Sequence, residues 1–268
     1  MAKYSEDFTP QEMIVVAGSH TLIDNKVVFA GTGLPMVAIT LAQLTHGPGI
    51  VPVFEAGAVG PELSRGLPLS VGGSRTTYKA NYLLGLNSAF ELTQRGFCDF
   101  GFIGGAEIDP YGNLNSTMMG KFPENYQKPK TRLPGSGGAS DMACSCERTI
   151  IIMVHEPRRF AEKINYITSP GYLDGSPNAR WRAGLVGQGP YRVITTKALM
   201  GFDDETKRMK LIATMPGETV NSVQEATGFK LIIPDDVYEF EPPTVEEVRL
   251  IREVIDPQGY FVRKKIKE

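Results

Sequence analysis

The sequence predicts an α/β fold, a single domain over residues 1–268 built on an open, mostly parallel sheet with helices on both faces. Three observations carry that expectation. Short apolar runs of four to six residues recur along the chain, as in Val27-Val28-Phe29-Ala30 and Phe100-Gly101-Phe102-Ile103. Continuous rather than alternating hydrophobicity is what a strand buried on both faces requires. Helical stretches separate the runs, and glycine-rich loops follow them directly, the order of a parallel sheet with crossover helices.

Thr9-Pro10-Gln11-Glu12 sets a threonine N-cap, a proline at the first helical position and a glutamate where a capping box needs one, so the first helix runs from Pro10 to about Leu22. Lys26–Ala30 is a strand ending in Gly31-Thr32-Gly33-Leu34-Pro35, and Met36–Leu44 is the helix after it. Ile50–Phe54 is the next strand, ending in Glu55-Ala56-Gly57. A helix over Asn87–Arg95, a strand over Phe100–Ile103 and the loop Gly104-Gly105-Ala106 repeat the pattern. Thr149–Val154 and Arg192–Thr195 read as buried strands, and Lys207–Thr214 as an edge strand, charged on one side. Helices over Val220–Thr227 and Thr244–Ile255 precede a basic tail, Arg263–Lys267. No linker, repeat or low-complexity tract interrupts the chain.

Composition narrows the function. With 28 basic and 30 acidic residues the formal charge is −2, which disfavours a nucleic-acid partner. No run of about 18 apolar residues predicts a membrane span, and the polar start shows no secretory pattern. Glycine is abundant, 29 of 268 residues, or about 11% where about 7% is usual. Three cysteines, Cys98, Cys144 and Cys146, make no disulfide framework and suit a reducing cytoplasm. No metal is expected: His20, His46 and His155 are scattered, and His155-Glu156 lacks the second histidine of a His-Glu-x-x-His site.

Ligands of open parallel sheets bind outside the carboxyl ends of the strands, so the loops there carry the candidates. Glu55 directly follows a buried strand; by position alone it reads more often as a surface carboxylate in a turn. The backbone of Gly137, Gly138 and Ala139 could converge on an anion or oxyanion, or be a surface loop. Gly31, Gly33 and Gly105 could let a ligand approach the backbone closely. Asp109-Pro110-Tyr111-Gly112 is a good turn in its own right. Gly-x-Gly-x-x-Gly fails at Met36 and at Ser140, and no Gly-x-Ser-x-Gly elbow occurs. Lys128, Lys130 and Arg132, or Arg158 and Arg159, could meet ligand phosphates but read more often as solvated faces, and Trp181 reads as core or interface.

Taken in order, Gly31-Thr32-Gly33-Leu34-Pro35, Glu55-Ala56-Gly57, the string Gly104–Thr117 and Gly135-Ser136-Gly137-Gly138-Ala139 resemble the B subunits of glutaconate CoA-transferases, within the family I CoA-transferases of NagB/RpiA-like fold. Ile164–Gly171 and Leu250–Pro257 match as well, so the resemblance spans the chain. It implies an A subunit of similar fold, forming a heterodimer that assembles to a heterotetramer or heterooctamer. It also implies a carboxylic acid and an acyl-CoA as substrates, with coenzyme A as a substrate moiety and no permanent cofactor. Glu55 is then the covalent catalyst. Ala56 departs from the family's usual Ser or Asn. The rival readings are an acyl-CoA hydrolase or decarboxylase on the same fold, and a non-catalytic ligand-binding domain.

Overall fold

The computed structural model describes residues 3–63 and 66–262; the basic tail at Arg263–Lys267 lies outside them. In chain order the helices are α1 (Pro10–Thr21), α2 (Leu34–Thr45), α3 (Leu86–Gln94), α4 (Ala139–Ser145), α5 (Ala179–Arg182), α6 (Val220–Glu225) and α7 (Val245–Arg249). The strands that concern the site are β1 (Val27–Ala30), β2 (Val51–Phe54), β3 (Ala58–Val59), β4 (Tyr82–Leu83) and β5 (Phe100–Ile103). They are followed by β6 (Glu107–Ile108), β7 (Leu114–Asn115), β8 (Met118–Met119), β9 (Thr131–Arg132) and β10 (Arg148–Met153). The last four are β11 (Pro190–Thr195), β12 (Ala198–Phe202), β13 (Met209–Thr214) and β14 (Tyr238–Glu239). The expected open α/β sheet is present.

By its internal contacts the chain divides into two compact units. The first comprises the described residues of Met1–Phe102 and Glu241–Glu268, the second Ile103–Phe240. No linker betrays the division because one crossing falls inside β5 and the other just after β14.

In the first unit the strand order is β5-β1-β2-β3-β4. β1 pairs in parallel with β2 and β5, and β2-β3-β4 continue antiparallel. The predicted capping box forms: the Thr9 hydroxyl accepts from the Glu12 amide at 3.2 Å, and the Thr9 amide donates to the Glu12 carboxylate at 2.7 Å. Val15 and Val16 of α1 meet Val37, Ala38 and Leu41 of α2, and Ile251 and Ile255 of the C-terminal segment close that cluster. The segment after α7, Leu250–Ile255, is a π-helix rather than the continuous α-helix expected over Thr244–Ile255. Its Arg252 donates to Glu12 at 2.6 and 2.8 Å and to Asp7 at 2.7 Å. Burial alone would raise the Glu12 pKa, but those bonds and the Thr9 amide hold it below its ordinary value.

In the second unit the order is β14-β13-β12-β11-β10. β10 and β11 run parallel, β11-β12-β13 antiparallel, and β14 parallel to β13. Lys207–Thr214 was expected at the edge; β14 lies outside it, but pairs only with Ala213 and Thr214. The rest of β13 is covered as well: Ile232 bridges to Lys210, and its carbonyl accepts from the Leu211 amide at 2.9 Å, so the strand is not the edge.

His155 lies buried in this unit, stacked on Phe160 at 4.1 Å between the hydroxyls of Thr195 (2.9 Å) and Thr227 (3.0 Å). Burial first, and the Lys197 charge second, push its pKa down to about 4. A neutral ring donates from one nitrogen and accepts at the other, so one of the two threonine hydroxyls accepts a hydrogen bond from the imidazole and the other donates one to it. The unfolded chain takes up a proton at His155 between about pH 6.5 and pH 4 that the native state refuses. Stability therefore falls as pH drops through that window, by about 3 kcal/mol at its acidic end. Denaturant titrations at pH 7 and pH 4.5 should show His155→Asn losing less stability on acidification than the wild type. Equal losses would remove His155 from the pH response.

Candidate active site

Glu55 is the first residue beyond β2. Register places Ala30 of β1 opposite Phe54 of β2, so Gly31-Thr32-Gly33 and Glu55-Ala56-Gly57 leave neighbouring parallel strands at the same edge. Paired strands are about 4.8 Å apart, and this is the carboxyl edge at which open α/β sheets collect ligands. Gly33, at φ +94°, turns the chain into α2. Its carbonyl accepts from the Met36 amide at 3.1 Å, while no acidic residue and no side-chain cap occupy the first turn. A Cβ built on Gly31 or Gly33 would meet no described residue within 4 Å.

The Glu55 corner itself is tight. The Gly57 amide donates to Phe54 O at 2.8 Å, closing a turn that sends β3 back antiparallel to β2. Gly57 sits at φ +109° and its carbonyl accepts from the Leu84 amide at 2.8 Å. Ala56 is exposed, and a Cβ on Gly72 would lie 3.7 Å from its methyl. Gly72 and Leu84 therefore frame the corner. Sequence reasoning missed both, since neither lies in a loop that directly follows an apolar run.

Glu55 is half-buried, and no described residue hydrogen-bonds or ion-pairs with its carboxylate. The buried acids behave otherwise. Glu12 and Glu247 complete capping boxes, and Asp256 accepts the amides of Tyr260, Phe261 and Val262. Carboxylates serving architecture are saturated here; the one at the open edge is left for something else.

The remaining candidates belong to the second unit. Within Gly104–Thr117 the polar residues are committed to structure. Asp109 accepts from the Tyr111 and Asn113 amides at 2.9 and 3.0 Å and from Asn113 Nδ2 at 2.7 Å. Burial nevertheless pushes the Asp109 pKa up. Glu107 accepts from Asn115 Nδ2 at 2.6 Å and Asn165 Nδ2 at 2.7 Å. A Cβ on Gly105 would press on the Leu114 side chain at 3.2 Å, so close packing accounts for that glycine.

Gly137 has φ +49° and open space beside it, and Gly138 is the N-cap of α4. Neither amide donates to a described residue. The Ala139 amide does, to Ser136 O at 3.0 Å, so of the three expected anion-binding amides only those of Gly137 and Gly138 stand ready. The structure thus sets Glu55, Gly31 and Gly33 along one edge of the first unit, and carries Gly105, Gly137, Gly138 and Ala139 in the second. Cys98 and Cys146 are buried, and burial raises the pKa of the half-buried Cys144. Among the described residues no group of three His, Cys, Asp or Glu is arranged to hold a metal ion. No described helix is long and apolar enough to cross a membrane.

A sequence model of the Coenzyme A transferase family matches residues 11–226. The chain is 40% identical to the B subunit of glutaconate CoA-transferase from Acidaminococcus fermentans, over 98% of both chains. It is 35% identical to the B subunit of 3-oxoadipate CoA-transferase from Pseudomonas knackmussii, over 91% of this chain and 92% of that one. The crystal structure of glutaconate coenzyme A-transferase from Acidaminococcus fermentans superposes with a TM-score of 0.88 at 38% identity, covering 97% of this chain and 99% of that chain.

Proposed function

The chain belongs to the coenzyme A transferase family, and we propose that it is the B subunit of an enzyme that moves CoA between an acyl-CoA and a carboxylic acid through Glu55. The observation that carries this reading is the Glu55 carboxylate at the open carboxyl edge of β1 and β2, beside Gly31 and Gly33, with no partner among the described residues. A carboxylate can exchange with a thioester at almost no net cost, because an acid and a thioester stand on both sides of the reaction.

One Glu55 oxygen attacks the thioester carbonyl of the donor, for example acetyl-CoA or glutaconyl- or glutaryl-CoA. The C–S bond breaks, CoA leaves as thiolate, and a mixed acyl-glutamyl anhydride remains. The thiolate then attacks the Glu55 carbonyl of the anhydride, releasing the donor acid and leaving CoA on Glu55 as a thioester. The acceptor acid reverses both steps and departs as acyl-CoA, with ping-pong kinetics. Each addition develops an oxyanion, which backbone amides can stabilise; losing one such donor costs about 3–4 kcal/mol of barrier. Water has to be kept from both intermediates, since each hydrolyses.

No step calls for a metal or a permanent cofactor; coenzyme A enters as part of the substrate. The partner is an A subunit, in a heterodimer that assembles to a heterotetramer or heterooctamer, and free cysteines suit a cytoplasmic setting. The A subunit would share in choosing the acid.

The reading is tested by mass spectrometry of the Glu55 peptide after mixing the A–B complex with glutaryl-CoA, with and without borohydride. A CoA adduct on Glu55, converted to the alcohol by borohydride, is the expected result. An unmodified peptide while the thioester is consumed would replace transfer by hydrolysis or decarboxylation.

A further inference from the structure

A groove enclosing about 940 Å³ opens in the second unit, bordered by α5 with the loop after it, β11 and β13. None of the residues proposed for acyl transfer lines it. Its volume falls in the range of small-ligand sites, about 300–1,000 Å³. Four cations line it, Arg148, Arg192, Lys207 and Lys210, and none forms an ion pair with a described residue. Two guanidinium groups share one ring: Arg192 lies 3.8 Å and Arg148 4.8 Å from the Tyr191 centroid. Lys207 lies 5.5 Å from the Tyr172 ring. Asp204 and Asp236 are the lining acids, and neither is ion-paired with a described residue.

The groove also contains Arg180, only 8% exposed. Its guanidinium donates to the carbonyls of Ala143, Pro170, Gly171 and Gly187 at 2.8–3.2 Å and, among the described residues, meets no carboxylate. A buried cation without a counter-charge is costly to hold, and this one adds its field to the four nearer the surface. Gly201 in β12 keeps room at this place: a Cβ there would lie 3.3 Å from Arg192 Nη1 and 2.8 Å from Ile212 Cδ1. A glycine inside a strand commonly marks such a close approach. Trp181, the chain's only tryptophan, is 79% exposed on the same groove.

Concentrated unpaired positive charge beside exposed aromatic faces is suited to a ligand with several negative charges and a planar ring. A protein partner fits less well, since charge is depleted at the centres of protein interfaces. We propose that this groove binds a phosphorylated nucleoside, its phosphates held by Arg148, Arg192, Lys207 and Lys210 and its base stacked on Trp181. A free nucleotide and the nucleotide end of coenzyme A share that chemistry, and experiment separates them. Binding itself does not rest on Glu55 chemistry.

Isothermal titration of the full chain co-purified with its A subunit, using ATP and coenzyme A as separate probes, tests the site. Arg148→Ala with Arg192→Ala is expected to weaken binding at least about tenfold, and Trp181→Ala about tenfold through lost stacking. Trp181 is too exposed for its removal to disturb the fold. If coenzyme A displaces ATP, and the arginine variant raises KM for acyl-CoA with kcat unchanged, the occupant is the nucleotide end of coenzyme A. If ATP binds undisplaced, it is a free nucleotide. Wild-type protein binding neither probe, or all variants binding equally, overturns the proposal. So does an arginine variant that releases the A subunit while leaving nucleotide affinity intact, which would make the groove a protein contact. A Glu55→Gln complex that still binds the probes separates failure of transfer from failure of this site.

Discussion

Glu55→Ala, purified with its A subunit, is expected to lose CoA transfer by at least about 10⁴-fold, the scale on which removing a covalent nucleophile acts. Glu55→Gln should fall as far, because the amide keeps the shape but not the nucleophilic oxygen. Glu55→Asp should keep the carboxylate and draw it back by one methylene, and a displacement of about 1 Å is enough for roughly 10²-fold. Stability should move by no more than about 0.5 kcal/mol in all three, since the side chain bonds to no described residue. The assay is steady-state transfer from acyl-CoA to acid, with urea unfolding alongside. Wild-type-like turnover by Glu55→Ala would sink the assignment. Loss of transfer with continued one-way consumption of acyl-CoA would shift the enzyme to hydrolysis or decarboxylation, with Glu55 outside the chemistry.

The fold was legible where burial is simplest. Val27–Ala30, Val51–Phe54 and Phe100–Ile103 are apolar without alternation because parallel strands covered on both faces demand it. The capping box at Thr9 fixed the start of α1 to the residue. Ala198–Phe202 escaped notice although it is as apolar as the others. Only Thr196 and Lys197 separate it from β11, so it forms an antiparallel hairpin and breaks the strand–helix–strand alternation. α4 has no side-chain cap to announce it, its N-cap being Gly138. The two-residue strands are too short for any period to show.

The site was legible in position and not in state. Spacing could put Glu55 at a strand end, and resemblance could give it a role. That its carboxylate is unpaired depends on distant residues failing to reach it, which no local pattern records. The same holds for Ala139, whose amide is taken by Ser136, and for Asp109 and Asn113, whose mutual bonds make the Gly104–Thr117 string an architectural element. The nucleotide groove was invisible: its lining runs from Arg148 to Tyr238, and its cations are ordinary one by one.

Gly57→Ala is expected to be the most damaging single methyl near the site. The added Cβ would lie 1.9 Å from Leu84 O and 2.5 Å from Leu84 C. Both are backbone atoms, so no side-chain rotation relieves the contact. The residue also stands at φ +109°, a region where a side chain costs about 1–3 kcal/mol. Relief requires the corner to open, which would strain the Leu84 amide bond to Gly57 O and the pairing of Ala58 with Leu83. The fold should lose about 3 kcal/mol or more, and turnover at least about 10²-fold as Glu55 moves off its line of attack. Gly31→Ala supplies the contrast. It adds the same methyl at the same edge, where it would meet no described residue within 4 Å, so it should leave stability within about 0.5 kcal/mol and act only through substrate. Urea midpoints and kcat against KM for the two variants separate the effects. Gly57→Ala with wild-type stability and turnover would mean that the corner is compliant, and that Glu55 is aimed by something other than the β2–β3 turn.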